Sequence, residues 1–296
     1  STFDSNSNKV VAAYRDLGDS SYGKAVVFSP ASTNLTSENY IGMSSGVTEI
    51  ISSETGTAVT YDSSETGYQA ATFDSTNNKV VIGYRDYGNS SYGTAVVGTV
   101  SGTSITYGTP VVFEPSSVSY ISATFDSNSN KVVIAYRDSG NSNYGTAVVG
   151  TVSGTSISFG TPVVFEIADT RWTSATFDSA AGKVVIAYQD QGNNSRGTAI
   201  VATVDSSDNS ISFGTEVDFA GANNTNLGTP ITFDSNSNKI VVLYSDGGDS
   251  SYGKAKVGTV SGTGISFGSA TAFESSAAVR HKAIDFDSSV NKVVIA

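Results

Sequence analysis

The chain of 296 residues contains no cysteine, one methionine, one tryptophan, one histidine and five prolines. Without cysteine there are no disulfides and no thiolate metal sites, and the redox compartment stays open. One histidine leaves a single candidate for any imidazole-dependent chemistry, and no Ser-His-Asp grouping stands out among so many serines. No run of eighteen apolar residues occurs, so no helix can span a membrane and membrane insertion is not expected. Positive charge is scarce: 16 Lys and Arg stand against 27 Asp and Glu, for a net charge of −11. Such a surface repels phosphate backbones, which argues against nucleic acid as a partner. Cations and neutral polar ligands such as glycans suit it better. Helical periodicity is missing as well.

What is present is a repeat. The tripeptide Phe-Asp-Ser recurs at Phe3, Phe73, Phe125, Phe177, Phe233 and Phe286, with intervals of 70, 52, 52, 56 and 53 residues. Copies start near Ser1, Gln69, Ile121, Thr173, Thr229 and Lys282. A period of this size marks stacked supersecondary units. The clearest copy, Ile121 to Glu166, divides into four extended segments: Tyr120–Phe125, Lys131–Arg137, Thr146–Val152 and Ser156–Phe165. Val, Ile, Thr, Tyr and Phe fill them, and Gly, Asn, Asp and Ser separate them. The segment KVVIAYR is apolar on both faces, which fits sheets packed on both sides. Pro110 and Pro162 fall in the fourth segment, and proline favours an edge strand. The fourth strand is therefore expected outermost and the first innermost.

These features predict an all-β protein: one β-propeller domain over 1–296, built of four-stranded antiparallel blades. Six blades is the simplest count, and seven or more follow if the ring needs residues beyond Ser1 and Ala296, since both ends fall inside a repeat and read as cut from a longer chain. A β-solenoid usually has fewer residues per coil, and separate sandwiches of 52 residues would bury too little surface. The first interval is 18 residues longer than the usual 52. Its insertion, about 33–50 and including Thr33–Val47, is expected to protrude as a hairpin that attaches to a neighbour.

The order of FDS turn, KVVIAYRD, Gly-rich loop, strand, turn and strand resembles the sialidase-like propellers. Ser142-Asn143-Tyr144-Gly145-Thr146 matches that family's Asp-box loosely. In wording, the tandem copies and the NLTSENYIG segment look like repeats of large structural proteins of marine bacteriophages. That resemblance implies a virion appendage or fibre-like component that adheres to a host-surface glycan or protein. It also implies contact with other copies or neighbouring subunits, and a place outside the cell or on the virion surface. The sialidase resemblance implies the alternative, a glycoside hydrolase or lectin-type carbohydrate-binding propeller. A purely architectural segment is a third reading.

Candidate residues lie where the copies disagree. Five residues before each phenylalanine stand Tyr68, Tyr120, Trp172, Gly228 and His281, with Arg171 and Arg280 one residue earlier. Aromatic faces beside a few polar groups suit a sugar or peptide pocket. The competing reading is that these rings only plug the channel. The Tyr-Arg-Asp motif at 14–16, 84–86 and 136–138 decays to Tyr188-Gln189-Asp190 and Tyr244-Ser245-Asp246, and a repeated Arg–Asp or Arg–carbonyl pairing between neighbouring blades explains its arginines better than catalysis. The loop D-x-G-[ND]-S begins at Asp16, Asp86, Asp138, Asp190 and Asp246; its oxygens could hold Ca²⁺ or simply make turns, and no other cofactor is expected. Paired carboxylates for glycoside hydrolysis would have to break the repeat. Glu166, Asp169 and Asp218 are available, but no catalytic set emerges and the balance leans away from an enzyme.

Overall fold

A computed structural model describes residues 1–29, 54–221 and 228–296. The long insertion of the first repeat falls largely outside these residues. Twenty-four β-strands and one 3-10 turn, Tyr87–Asn89, account for the regular structure described, and every strand pairing is antiparallel. The third repeat shows the plan. The second half of Val111–Asp126 pairs with Lys131–Asp138, which pairs with Tyr144–Ser153, which pairs with the first half of Val163–Asp178.

The fourth segment differs from the single strand expected over Ser156–Phe165. Ser156–Phe159 forms a short hairpin with the end of Tyr144–Ser153, and the chain then breaks at Gly160-Thr161-Pro162 before Val163 re-enters the sheet. Gly160 donates its N–H to Val149 O at 2.9 Å, and Pro162 has none to offer, so the proline sits at the break and not within the strand. Beyond Val163-Val164-Phe165-Glu166 the strand continues without a loop. Val163 to Asp178 is one strand of 16 residues, the outer strand of the third repeat for half its length and the inner strand of the fourth for the rest. Val59–Asp74 and Val111–Asp126 do the same at the two preceding junctions.

The turn chemistry follows the sequence. Asp126 Oδ1 accepts the N–H groups of Asn128 and Ser129 at 2.9 and 3.1 Å, and Asn130 closes the turn at φ 56°. Asn8, Asn78, Asn238 and Asn291 hold the same left-handed conformation, and Gly182 does so in the fourth repeat.

Burial on both faces of the second strand is observed. Val132, Ile134 and Tyr136 pack against Val81, Val97 and Phe113 of the second repeat. Val133 and Ala135 pack against Val184, Ile186 and Tyr188 of the fourth. The core is therefore a series of apolar layers between consecutive repeats, four among the described residues. The inner strands of adjacent repeats touch along the series. Hydrogen bonds lace them: Ala175 N–H donates to Ser122 Oγ at 2.8 Å and Ile231 N–H to Ser174 Oγ at 3.3 Å.

Candidate functional site

Each 16-residue strand changes partner near its middle, and a bulge marks the place. In the third repeat the register jumps between Ala135 and Arg137, so that Tyr120 and Ile121 together oppose Tyr136. The same slip occurs at Tyr68-Gln69 and at Trp172-Thr173. A bulge needs one residue with unusual dihedrals, and here that residue is aromatic. Tyr68, Tyr120 and Trp172 have φ of 53°, 52° and 54°, while Gly228 holds the corresponding place at 102°. A left-handed conformation costs an L-residue about 1–2 kcal/mol, and a bulky side chain there is uncommon. Three consecutive repeats accept that strain where glycine would relieve it.

The neighbouring repeat holds the bulge in place. Thr173 Oγ1 donates to Tyr120 O, and Thr229 Oγ1 donates to Trp172 O at 2.8 Å. The rings consequently line up. Tyr68 meets Tyr120 edge-on with centroids 5.4 Å apart, and Tyr120 meets Trp172 at 4.8 Å. Tyr68 is 40% exposed, and Tyr120 and Trp172 are half-buried. Of the remaining expected residues, Arg171 precedes Trp172 in the bulged strand. Its Nε and Nη2 both donate to Asp169 Oδ2, at 3.1 and 2.8 Å. Arg280 and His281 do not join the aromatic row. Both are exposed in irregular backbone, where Lys282 instead reaches inward to Ser245 Oγ at 2.9 Å. Burial lowers the Lys282 ammonium to about 8.

The arginines of the Tyr-Arg-Asp motif do not pair with their adjacent aspartates. Arg15 reaches Glu65 at 3.0 Å and Arg137 reaches Asp169 at 3.2 Å, each on the outer strand of its own repeat. Arg137 also lies 4.9 Å from the Tyr120 ring centroid and donates from Nε to Ser119 Oγ at 2.8 Å. These pairs clamp the long strand next to its bulge; they do not bridge an arginine of one blade to an aspartate of the next.

The aspartates expected to offer Ca²⁺ ligands stand one per repeat. Asp16 and Asp246 accept the N–H of Gly18 and Gly248 at 3.0 Å, and Asp138 accepts Gly140 and Asn141. Asp86 and Asp190 accept Asn89 and Asn193 at 3.1 Å. In the first and fifth repeats an ammonium occupies the place a cation would take. Lys24 lies 2.9 Å from Asp16 and 2.7 Å from Asp19, and Lys254 lies 2.8 Å from both Asp246 and Asp249. The lysines are raised above their ordinary range by these hydrogen bonds.

A second set of polar contacts escaped the sequence reading. The tyrosine of the motif is buried and donates to a carboxylate of the preceding repeat: Tyr84 to Asp62 at 2.8 Å, Tyr136 to Glu114 at 2.9 Å and Tyr188 to Glu166 at 3.1 Å. The constant separation of 22 residues was a signal available in the sequence. Burial, reinforced by the carboxylates, pushes all three hydroxyls far above the usual phenol range. None can serve as a phenolate nucleophile, and their recurrence marks them as inter-repeat locks. Tyr188 donates at 3.0 Å to Glu216 as well. Glu166 is raised to about 7, first by burial and then by the hydrogen bond with Glu216. Glu166, Asp190 and Glu216 offer oxygens within 4.8 Å of one another.

No protein-family model matches the chain, and no protein of curated function matches it in sequence. Solved structures resemble it in fold. AofleA from Arthrobotrys oligospora has a TM-score of 0.51 at 11% identity, over 97% of this chain and 78% of its own. The Hadza microbial sialidase Hz136 has a TM-score of 0.51 at 10% identity, and the likeness spans 96% of this chain but 59% of the sialidase. The SapL1 lectin, solved with α-methyl fucoside, has a TM-score of 0.45 at 17% identity over 93% of this chain and 84% of its own.

Proposed function

We propose that the chain is a β-propeller of six repeats that binds glycans, without cleaving them, at the row formed by Tyr68, Tyr120 and Trp172. The observation that carries this reading is the strained left-handed backbone at three successive aromatic residues. Backbone strain retained where a commoner residue would relieve it is characteristic of functional positions. Half-exposed rings flanked by guanidinium groups offer the stacking faces and hydrogen-bond donors that a pyranose needs. The acidic surface is compatible with such ligands. The fold likeness to a sialidase over nearly the whole chain supports the propeller. The buried tyrosines, hydrogen-bonded to carboxylates between repeats, fit a reading of binding without turnover. A glycan ligand sets the working position at an exterior surface; the virion-appendage setting implied by the wording of the repeats gains no support from the structural likenesses.

A glycan array tests the reading. The expected result is binding by the wild-type chain that falls about ten-fold in Trp172→Ala and Tyr120→Ala, the loss appropriate to one stacking ring. Release of reducing sugar from a bound glycan would refute the non-cleaving reading, and an empty array would refute the glycan ligand.

A further inference from the structure

One arginine breaks the pattern of the repeat. Arg15 and Arg137 have carboxylate partners on the outer strand, at Glu65 and Asp169. Arg137 has in addition Ser119 opposite its Nε. In the second repeat both partners are gone. Ser117 stands where Asp169 stands in the third, and Gly67 stands where Ser119 does. Arg85 accordingly makes no ion pair or hydrogen bond among the described residues, and its Nε is buried without an acceptor. Its only specific contact is a face: the guanidinium carbon lies 4.6 Å from the Tyr87 ring centroid. Stacking covers the plane of the group and, with Nε buried, leaves the terminal Nη donors for a ligand.

The fourth repeat makes the comparison sharper. There Gln189 replaces the arginine, and Arg171, directly opposite it, shares Asp169 with Arg137 of the third repeat. The guanidinium at this level of the fourth repeat thus also has a carboxylate beside it. The second repeat alone, among the described repeats that carry an arginine here, keeps the cation and drops the anion. The adjacent carboxylate cannot substitute: Asp86 is turned into its own loop and accepts Asn89 N–H at 3.1 Å. On the strand opposite, Glu65 is held by Arg15 and Asp62 accepts from Tyr84. The position lies beside Tyr68, whose backbone follows Gly67 and whose ring begins the aromatic row.

We propose that Arg85, with Tyr87 beneath it and Tyr68 beside it, is an oxyanion subsite, so that the ligand of this row carries a carboxylate or a sulfate ester. This rests on the glycan-binding reading for the ligand's class, while the anion site itself is testable alone. An oxyanion would restore the charge-assisted hydrogen bond that Asp169 provides to Arg137 in the third repeat.

The full chain is titrated with oligogalacturonate, with its neutral methyl ester, and with a sulfated oligogalactan. A charged sugar should bind about ten-fold more tightly than the ester, and the better of the two identifies carboxylate or sulfate. Ser117→Asp installs the missing partner in the manner of Asp169. It should erase the margin while leaving the melting temperature and the ester's affinity unchanged, and Arg85→Gln should erase it too. An equal margin in both variants, or none in the wild type, overturns the proposal. Sodium sulfate added to ¹⁵N-arginine-labelled protein needs no sugar. A shift of the Arg85 Nε–Hε signal that Ser117→Asp removes supports the subsite even if no glycan binds, in which case only the glycan reading fails. No shift with sulfate overturns the subsite.

Discussion

The third repeat and the first share almost the same second strand, KVVIAYRD at 131–138 and KVVAAYRD at 9–16, yet they live in different surroundings. In the third, Val132 through Tyr136 are completely buried, between the second and fourth repeats. In the first, Tyr14 is 37% exposed and Val10 and Ala12 are only half-buried. The difference teaches that a repeat supplies two adhesive faces and no core of its own. Burial comes from the neighbour, as in other quasi-one-dimensional arrays. The strand that bears an isoleucine at 134, 82 and 186 carries alanine at position 12, on the open face.

The largest expected effect comes from making the centre resemble the edge. Ile134→Ala should lower stability by about 2–5 kcal/mol, the usual result of truncating a buried branched side chain. Val10→Ala should stay within about 1 kcal/mol, because a half-exposed site loses less transfer free energy and leaves no cavity. Denaturant midpoints read both, and equal shifts would end the distinction between the regions.

The next effect concerns the locks. Tyr136→Phe leaves Glu114 buried without its donor and should destabilise by about 1–3 kcal/mol. Tyr14→Phe, which removes no such bond, should be near neutral by the same melting assay. At the third-to-fourth junction the lock is also pH-sensitive. Glu166 binds its proton more tightly folded than unfolded, so the folded state holds more protons between the ordinary carboxyl range and pH 7. Stability should therefore fall as pH rises from about 4.5 to about 7, and level off above. Glu216→Gln should reduce that slope by removing the second carboxylate, while burial keeps the rest of it, and Glu166→Gln should abolish it. The smallest effect belongs to the exposed clamps. Lys24→Thr, which makes the first repeat resemble the third, should shift the midpoint slightly at low salt and not at all at high salt.

Much of the fold was legible because it rests on patterns that local chemistry enforces. The Asp-Ser-Asn turns, the two-faced KVVIAYR strand and the first three segments appear as the sequence reads them. The continuous strand across Val163–Asp178 was not legible, because Glu166-Ile167-Ala168-Asp169 carries charge and no alternation, and reads as a connector. Its strand character comes from partners on two different sheets. In the aromatic row, repeat position singled out Tyr68, Tyr120 and Trp172 as neighbours, since equal offsets in stacked repeats become adjacent positions. The same rule failed for His281. The last repeat described has only two strands, Ile284–Asp287 and Lys292–Ile295, and they start too late to carry residue 281 into the row. The left-handed backbone at the three aromatic residues is invisible in sequence, because nothing about a tyrosine or tryptophan announces it.

The central claim is that these rings serve a ligand and not the packing of the molecule. Trp172→Gly gives the fourth repeat the residue that the fifth already has at Gly228, and relieves the left-handed backbone. Glycan binding and thermal unfolding measured on that single variant decide the matter. The account predicts lost binding with a melting temperature within roughly 3 °C of wild type. Retained binding, or a loss of stability as large as that of Ile134→Ala, would contradict it.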